Sequence, residues 1–151
     1  VAYPDRGTEK DILLATTGTE EAQSHQVFTG EELIAAQTLL RRMPVGDAVV
    51  EMILDLVRAF RPSDPSSPER VKDIVAWGPG PRAAQALMLT VRARALLQGR
   101  LAPSPEDVLD MAKPVLVHRM ALSFSARARG EDLGALIDET AESLRRTEAA
   151  A

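Results

Sequence analysis

The residue best placed for chemistry is an arginine. Arg82 follows Gly78-Pro79-Gly80-Pro81, a breaker run that stops where a strong amphipathic pattern begins, so its guanidinium falls in the first turn of a helix. A cation there opposes the positive end of the helix dipole, at a cost of about a few tenths of a kcal/mol. A neighbouring anion reverses that sign. Unpaired backbone N–H groups at the helix start and a planar, permanently charged fork both suit phosphate oxygens. Taken from the residues alone, Arg82 is either half of a phosphate-type anion site or an exposed first-turn arginine tolerated through solvent screening.

Other reactive side chains have plainer explanations. Glu20-Glu21, Glu31-Glu32 and Glu106-Asp107 are adjacent carboxylates at or near helix starts, where capping and the dipole account for acids without acid–base catalysis. His118, in Val117-His118-Arg119-Met120, has no nucleophile beside it and reads as a buried hydrogen-bonded histidine or an interface residue, while His25 is expected at the surface. The chain has no cysteine and its two histidines stand 93 positions apart, which excludes a disulfide framework and argues against a zinc centre. It contains no phosphate loop of the form Gly-x-x-x-x-Gly-Lys-Ser/Thr, no Gly-x-Ser-x-Gly elbow, no His-Glu-x-x-His and no EF-hand loop. Self-contained catalysis is therefore not expected.

The elements that must carry Arg82 are helical. In 151 residues, 45% are apolar but only 3% aromatic, so Leu, Ala, Val, Ile and Met carry the hydrophobic load, as in close-packed helices. That length suits one compact domain, or one domain with a short appendage. Starts and stops predict helices over roughly 8–17 (capped by Thr8), 29–43 (Thr29 with Glu32 as a capping box, Phe28 stapling onto Leu33), 49–61, 68–77 with Trp77 as a core anchor, 81–98, 105–119 with a kink at Pro114, and a last helix within 131–151. Leu33, Ala36, Leu40 and Met43 form one inward stripe. Val49, Ile53, Leu56 and Phe60 form another, followed by Ala84, Leu87, Val91 and Ala95, by Val108, Met111, Val115 and Arg119, and by Leu133, Leu136, Ile137, Thr140 and Leu144 with a Glu142–Arg146 pair. The sum is an all-α bundle of about six or seven helices, with at most a short extended pairing near Val27 and Leu101.

Charge is distributed unevenly. Residues 1–40 hold seven acids and two bases, 41–130 nine acids and fourteen bases, and 131–151 six acids and two bases. A positive centre between acidic ends can meet phosphate or an acidic partner. The pI of about 5.2 and the scarcity of aromatic stacking surface argue against a duplex-DNA or single-strand nucleic-acid module. No apolar run reaches the length of a membrane span. The chain opens on Val1 with no basic stretch or apolar run behind it, so we expect a cut within a longer protein and not a signal peptide.

Several separated motifs occur together in one order. Ile74-Val75-Ala76-Trp77-Gly78-Pro79-Gly80-Pro81-Arg82-Ala83-Ala84-Gln85-Ala86-Leu87, then Arg92 to Arg100, then Pro103-Ser104-Pro105-Glu106-Asp107-Val108 and Pro114-Val115-Leu116-Val117-His118-Arg119 resemble the C-terminal lid of the MoxR family of AAA+ ATPases. Tyr3-Pro4-Asp5 and Glu9-Lys10-Asp11-Ile12-Leu13 resemble the last stretch of that family's ATPase core, so the likeness runs from residue 3 to about 122. The resemblance implies that Gly78 to Arg82 is the family's Gly-x-Ser-Pro-Arg element, with Gly80 where Ser is usual and Arg82 as the catalytic sensor of a nucleotide γ-phosphate. It implies that Ile12 packs near the adenine. It further implies ATP and Mg2+ in the intact protein, none held tightly by this chain alone. The implied partners are the chain's own ATPase core, neighbouring subunits of a homo-oligomeric ring, and von Willebrand factor A domain proteins. Localisation would be cytoplasmic, with no nucleic acid and no membrane span.

On that basis residues 1–18 would be the end of an ATPase core or a linker helix, 19–130 the helical lid, and 131–151 a C-terminal helix that extends the lid or forms an interface. The expected function is a lid and sensor that couples ATP binding and hydrolysis to chaperone-like remodelling of partner proteins. The parent would be an ATP hydrolase, and this chain alone, lacking the phosphate loop, would not be catalytic. The rival reading is a freestanding helical adaptor that meets a protein through its arginine-rich centre without nucleotide.

Overall fold

A computed structural model describes residues 3–19 and 24–149, and its contacts divide the chain into two units, Val1–Ile34 and Ala35–Ala151. The first unit contains α1 (Arg6–Thr17) and the start of α2 (Gly30–Arg42), within which the division falls. Asp5, not Thr8, caps α1: its carboxylate accepts from the backbone N–H of Gly7 at 2.8 Å and of Thr8 at 3.0 Å, so the helix starts two residues earlier than predicted. The expected capping box opens α2, with Thr29 N–H donating to Glu32 at 2.7 Å and Glu32 N–H donating to Thr29 Oγ1 at 3.1 Å. Its predicted stripe is buried only at Met43, whereas Leu33 is exposed. Glu20-Glu21 lie outside the described residues.

The second unit holds the core, organised around α3 (Asp47–Ala59). Val49, Ile53, Leu56 and Phe60, the stripe read from spacing, are all buried there. Packed on that face are α5 (Pro81–Leu97), α6 (Pro105–Asp110) and α9 (Leu133–Ala149). Leu87, Val91 and Ala95 of α5 and Leu136 and Ile137 of α9 point inward as predicted, with Ala83 buried in place of the half-buried Ala84.

Nine helices and one two-stranded sheet occur among the described residues, against six or seven helices expected, and the all-α reading holds. The surplus has local causes. Pro114 has no N–H to give the Asp110 carbonyl and its ring crowds that carbonyl, so the predicted kink becomes a break at Met111 between α6 and α7 (Ala112–Leu116). Ser123 then accepts from Ala126 N–H at 3.2 Å and caps a short α8 (Phe124–Ala128).

Extended pairing is present, but elsewhere than expected. α4 (Glu69–Ile74) stops before the predicted 77 and the chain continues as β1 (Val75–Trp77), antiparallel to β2 (Ala121–Leu122). Val27 and Leu101 are both exposed. The ladder is irregular between Val75 and Trp77, so Trp77 does not return to the buried face that alternation would give it. Instead of anchoring the core it is 55% exposed.

Candidate functional site

Arg82 stands on a helix whose entry loop is locked to the end of α3. A Cβ on Gly78 would lie 2.0 Å from the Phe60 carbonyl oxygen, closer than any side chain allows, so only glycine lets the chain pass there. Arg61 Nε donates to the Pro79 carbonyl at 3.0 Å, and the Pro79 ring is buried. Pro79 and Pro81 have fixed φ, which removes most remaining freedom from the loop.

Gly80 is the N-cap of α5 in an extended conformation, and Pro81 is the first helical residue. A Cβ on Gly80 would meet nothing within 4 Å, so the serine usual at this place would fit; its absence removes a side-chain cap and leaves the backbone path unchanged. Ala83 N–H donates to the Gly80 carbonyl at 2.9 Å. Arg82 is exposed, makes no hydrogen bond or ion pair with any described residue, and has no acid in its helical turn.

Trp77, Gly80, Pro81, Arg82, Ala83 and Arg119 line one surface depression, with no carboxylate among them. Arg119 is there because β2 begins two residues later, and Ala121 pairs with Trp77. Its guanidinium is half-buried, with Nη1 2.7 Å from His118 Nε2 and with Nε buried without a partner. Sequence spacing had placed Arg119 on the inward stripe of a single helix. The signal in the sequence was the charge itself, since a lone arginine ending an apolar stripe asks for a destination. His118 is exposed, which removes the buried-histidine reading.

The other predicted residues separate. Ile12 is half exposed on α1, beside Glu9, Leu13 and Thr16, and belongs to the first unit, whereas Arg82 belongs to the second. Asp107, one of the paired acids, is buried and accepts from Arg100 Nη1 at 2.7 Å, Arg100 Nη2 at 2.6 Å, Arg94 Nε at 3.2 Å and Ser104 N–H at 2.8 Å. Arg100 foremost, with the Ser104 backbone, pulls its carboxyl down to about 2 against the burial that opposes ionisation. That is architecture, as its position at a helix start suggested. The predicted Glu142–Arg146 pair is replaced by Arg145, which holds Glu142 at 2.6 Å and reaches Glu106 and Asp110 of α6. Among the described residues no three His, Cys, Asp or Glu side chains are grouped to hold a metal ion, and no helix is long and apolar enough to cross a membrane.

Comparison with known proteins agrees with this geometry. Residues 67–140 match the AAA lid domain family. The chain is 30% identical to Chaperone MoxR1 of Mycobacterium tuberculosis over 128 residues, which are 85% of this chain and 34% of that protein. It is 29% identical to the uncharacterized YeaC of Bacillus subtilis over 92% of this chain and 41% of that one, and 42% identical to Protein MoxR of Paracoccus denitrificans over 43% of this chain and 20% of that one. It thus spans well under half the length of the curated relatives it matches. The fold is shared with the crystal structure of a candidate ATPase from Cytophaga hutchinsonii, at a TM-score of 0.79 and 23% identity, over 95% of this chain and 43% of that chain. The lid-domain match, the MoxR relatives and the helical fold converge: the chain belongs to the MoxR family of AAA+ ATPases and carries its lid domain.

Proposed function

We propose that in the intact protein this lid couples ATP binding and hydrolysis to chaperone-like remodelling or assembly of partner proteins, with Arg82 reaching the nucleotide γ-phosphate. One observation carries the reading. Arg82 is an exposed guanidinium without a partner among the described residues, at the start of a 17-residue helix whose entry loop is pinned by Gly78, Pro79 and Arg61. The pinned loop fixes where the Arg82 backbone stands, while its unpaired guanidinium stays free to swing onto developing charge.

The side chains fit the role. Arginine remains charged at any working pH and its fork can follow two oxygens of a phosphoryl group, and no carboxylate lines the depression to compete for it. Bound nucleotide would supply the phosphoryl chemistry. This chain would contribute recognition and movement: Arg82 as sensor, α5 as a rigid lever, and residues 18–28 as the hinge. Ile12 would pack near the adenine. The Mg2+ site would belong to the ATPase core, with residues 1–18 as the end of that core or a linker helix, 19–130 as the lid and 131–151 as its extension or an interface. Neighbouring subunits of a homo-oligomeric ring, von Willebrand factor A domain proteins and a cytoplasmic location complete the proposal.

The test is Arg82→Ala in the intact protein. ATP turnover should fall by at least about tenfold. Thermal unfolding of the helical body should stay within about 0.5 kcal/mol of the parent, since the side chain is exposed and has no partner to lose. Unchanged turnover would remove the sensor role.

A further inference from the structure

From the depression beside β1 we infer that Arg119 is the second arm of a two-arginine site for a polyphosphate anion, acting with Arg82 on one phosphate chain; this rests on the Arg82 reading and extends it. Three observations converge. Arg82 and Arg119 line the same depression, and none of its other lining residues carries a negative charge. Two like charges sharing a concavity repel each other unless an anion lies between them. In addition, Arg119 Nε is buried with no acceptor, an expensive state for a cationic N–H.

The rest of the molecule sharpens the point. Arginines set among acids are satisfied: Arg94 and Arg100 by Asp107, Arg70 by Glu131 and Glu139, Arg129 by Asp73, and Arg145 by Glu106 and Glu142. Arg92 shares with Arg119 a buried Nε that has no partner, and what sets Arg119 apart is the acid-free depression it lines with Arg82. Arg119 has only an imidazole nitrogen, with His118 Nε2 at 2.7 Å from Nη1. That contact orients the guanidinium without neutralising it, and it leaves the remaining N–H groups to give. The preference is for a chain of phosphates over a single one, since two forks on separate elements, one on α5 and one just before β2, can each take a different phosphate group.

The chain carries its own reporter. Trp77, the single tryptophan, lines the depression and is 55% exposed, so its fluorescence should respond to an occupant. The full 151-residue chain is titrated with inorganic tripolyphosphate in about 20 mM salt, where screening is weak. We expect a saturable change in emission, weakened about tenfold in Arg82→Gln and again in Arg119→Gln, and unmoved in Arg146→Gln, an exposed arginine on α9. Arg119→Lys keeps the charge and the aliphatic stem but lacks the fork, so it should bind between Arg119→Gln and the parent even if the glutamine variant melts early.

Loss in Arg82→Gln beside parental binding in both Arg119 variants would overturn the second arm and leave the sensor reading standing. An equal response in all variants, Arg146→Gln included, would overturn the site as mere surface attraction. So would the lack of a saturable response in the parent chain up to about 10 mM tripolyphosphate. Turnover of Arg82→Ala answers separately for the sensor itself.

Discussion

At its C-terminal end α5 delivers Arg94 to Asp107 at 3.2 Å and to Asp110 at 2.6 Å, and Arg100, just past the helix, closes a bidentate pair on the same buried Asp107. At its N-terminal end the same helix presents Arg82 to solvent with no partner among the described residues, next to a second arginine whose Nε is unsatisfied. The residue type is constant along the helix, and only the surroundings differ. Where a guanidinium meets a buried carboxylate it joins α5 to α6. Where the lining contains no acid, the guanidinium stays without a partner among the described residues. Arginine content alone therefore says nothing of function here; the position of the acids does.

The largest expected effect is at the saturated end. Asp107→Asn keeps the shape but removes the charge that balances Arg94 and Arg100, and should destabilise the body by about 3 kcal/mol in urea unfolding at neutral pH. The pH dependence has a definite sign. Folding lowers this carboxyl from 3.8 to about 2, so its contribution is complete above pH 4 and is lost as pH falls from about 4 towards 2. Asp64, held down to about 2 chiefly by Ser66, titrates in the same window. A melting curve flat from pH 7 to about 4, then falling less steeply in Asp107→Asn than in the parent, would assign the difference to Asp107. Parental stability in that variant would mean that the ion pairs at this end hold nothing together.

The next effect lies in the loop that aims the free end. Gly78→Ala puts a methyl 2.0 Å from the Phe60 carbonyl oxygen, which backbone cannot easily yield, and should destabilise by about 2 kcal/mol. It should also displace Pro79, loosening the Arg61 contact, so ATP turnover of the intact protein would fall together with stability. A variant that loses stability while keeping turnover would uncouple the clamp from Arg82.

How much of this could be read from sequence follows the range of the interaction involved. Helices with a full apolar stripe, α3 and the inner face of α5, were legible because their period is local. So was the Thr29–Glu32 box, which spans four residues. The β1–β2 ladder was not, because strands of three and two residues show no alternation and their partners lie far apart in the chain. Trp77 and Arg119 were misplaced for the same reason, since both owe their position to that ladder. Arg82 was legible as an anomaly: an exposed cation at the wrong end of a helix dipole is visible in one dimension. Asp107 looked the same as any first-turn acid, and only the return of Arg100 from the end of α5 shows that it is buried.

The smallest expected effect tests whether the free end is tuned or merely tolerated. Gly80 occupies the cap of α5 without a side-chain hydrogen bond, and a Cβ there would meet open space. Its φ of −85° and ψ of −177° are ordinary for serine, so Gly80→Ser should lay an oxygen over the first N–H groups of α5 without moving the loop. The gain in stability should be about a few tenths of a kcal/mol, visible as a small rise in melting temperature. Tripolyphosphate binding should fall slightly if backbone N–H groups help hold the anion, since the hydroxyl would compete for them, and should be unchanged if the two guanidiniums do the holding. Because Arg82 on α5 and Arg119 just before β2 each carry a guanidinium fork and line one depression, the side chains suffice without a backbone donor, and we expect the second result. A marked loss of binding in Gly80→Ser would shift the weight of recognition from the side chains to the helix start.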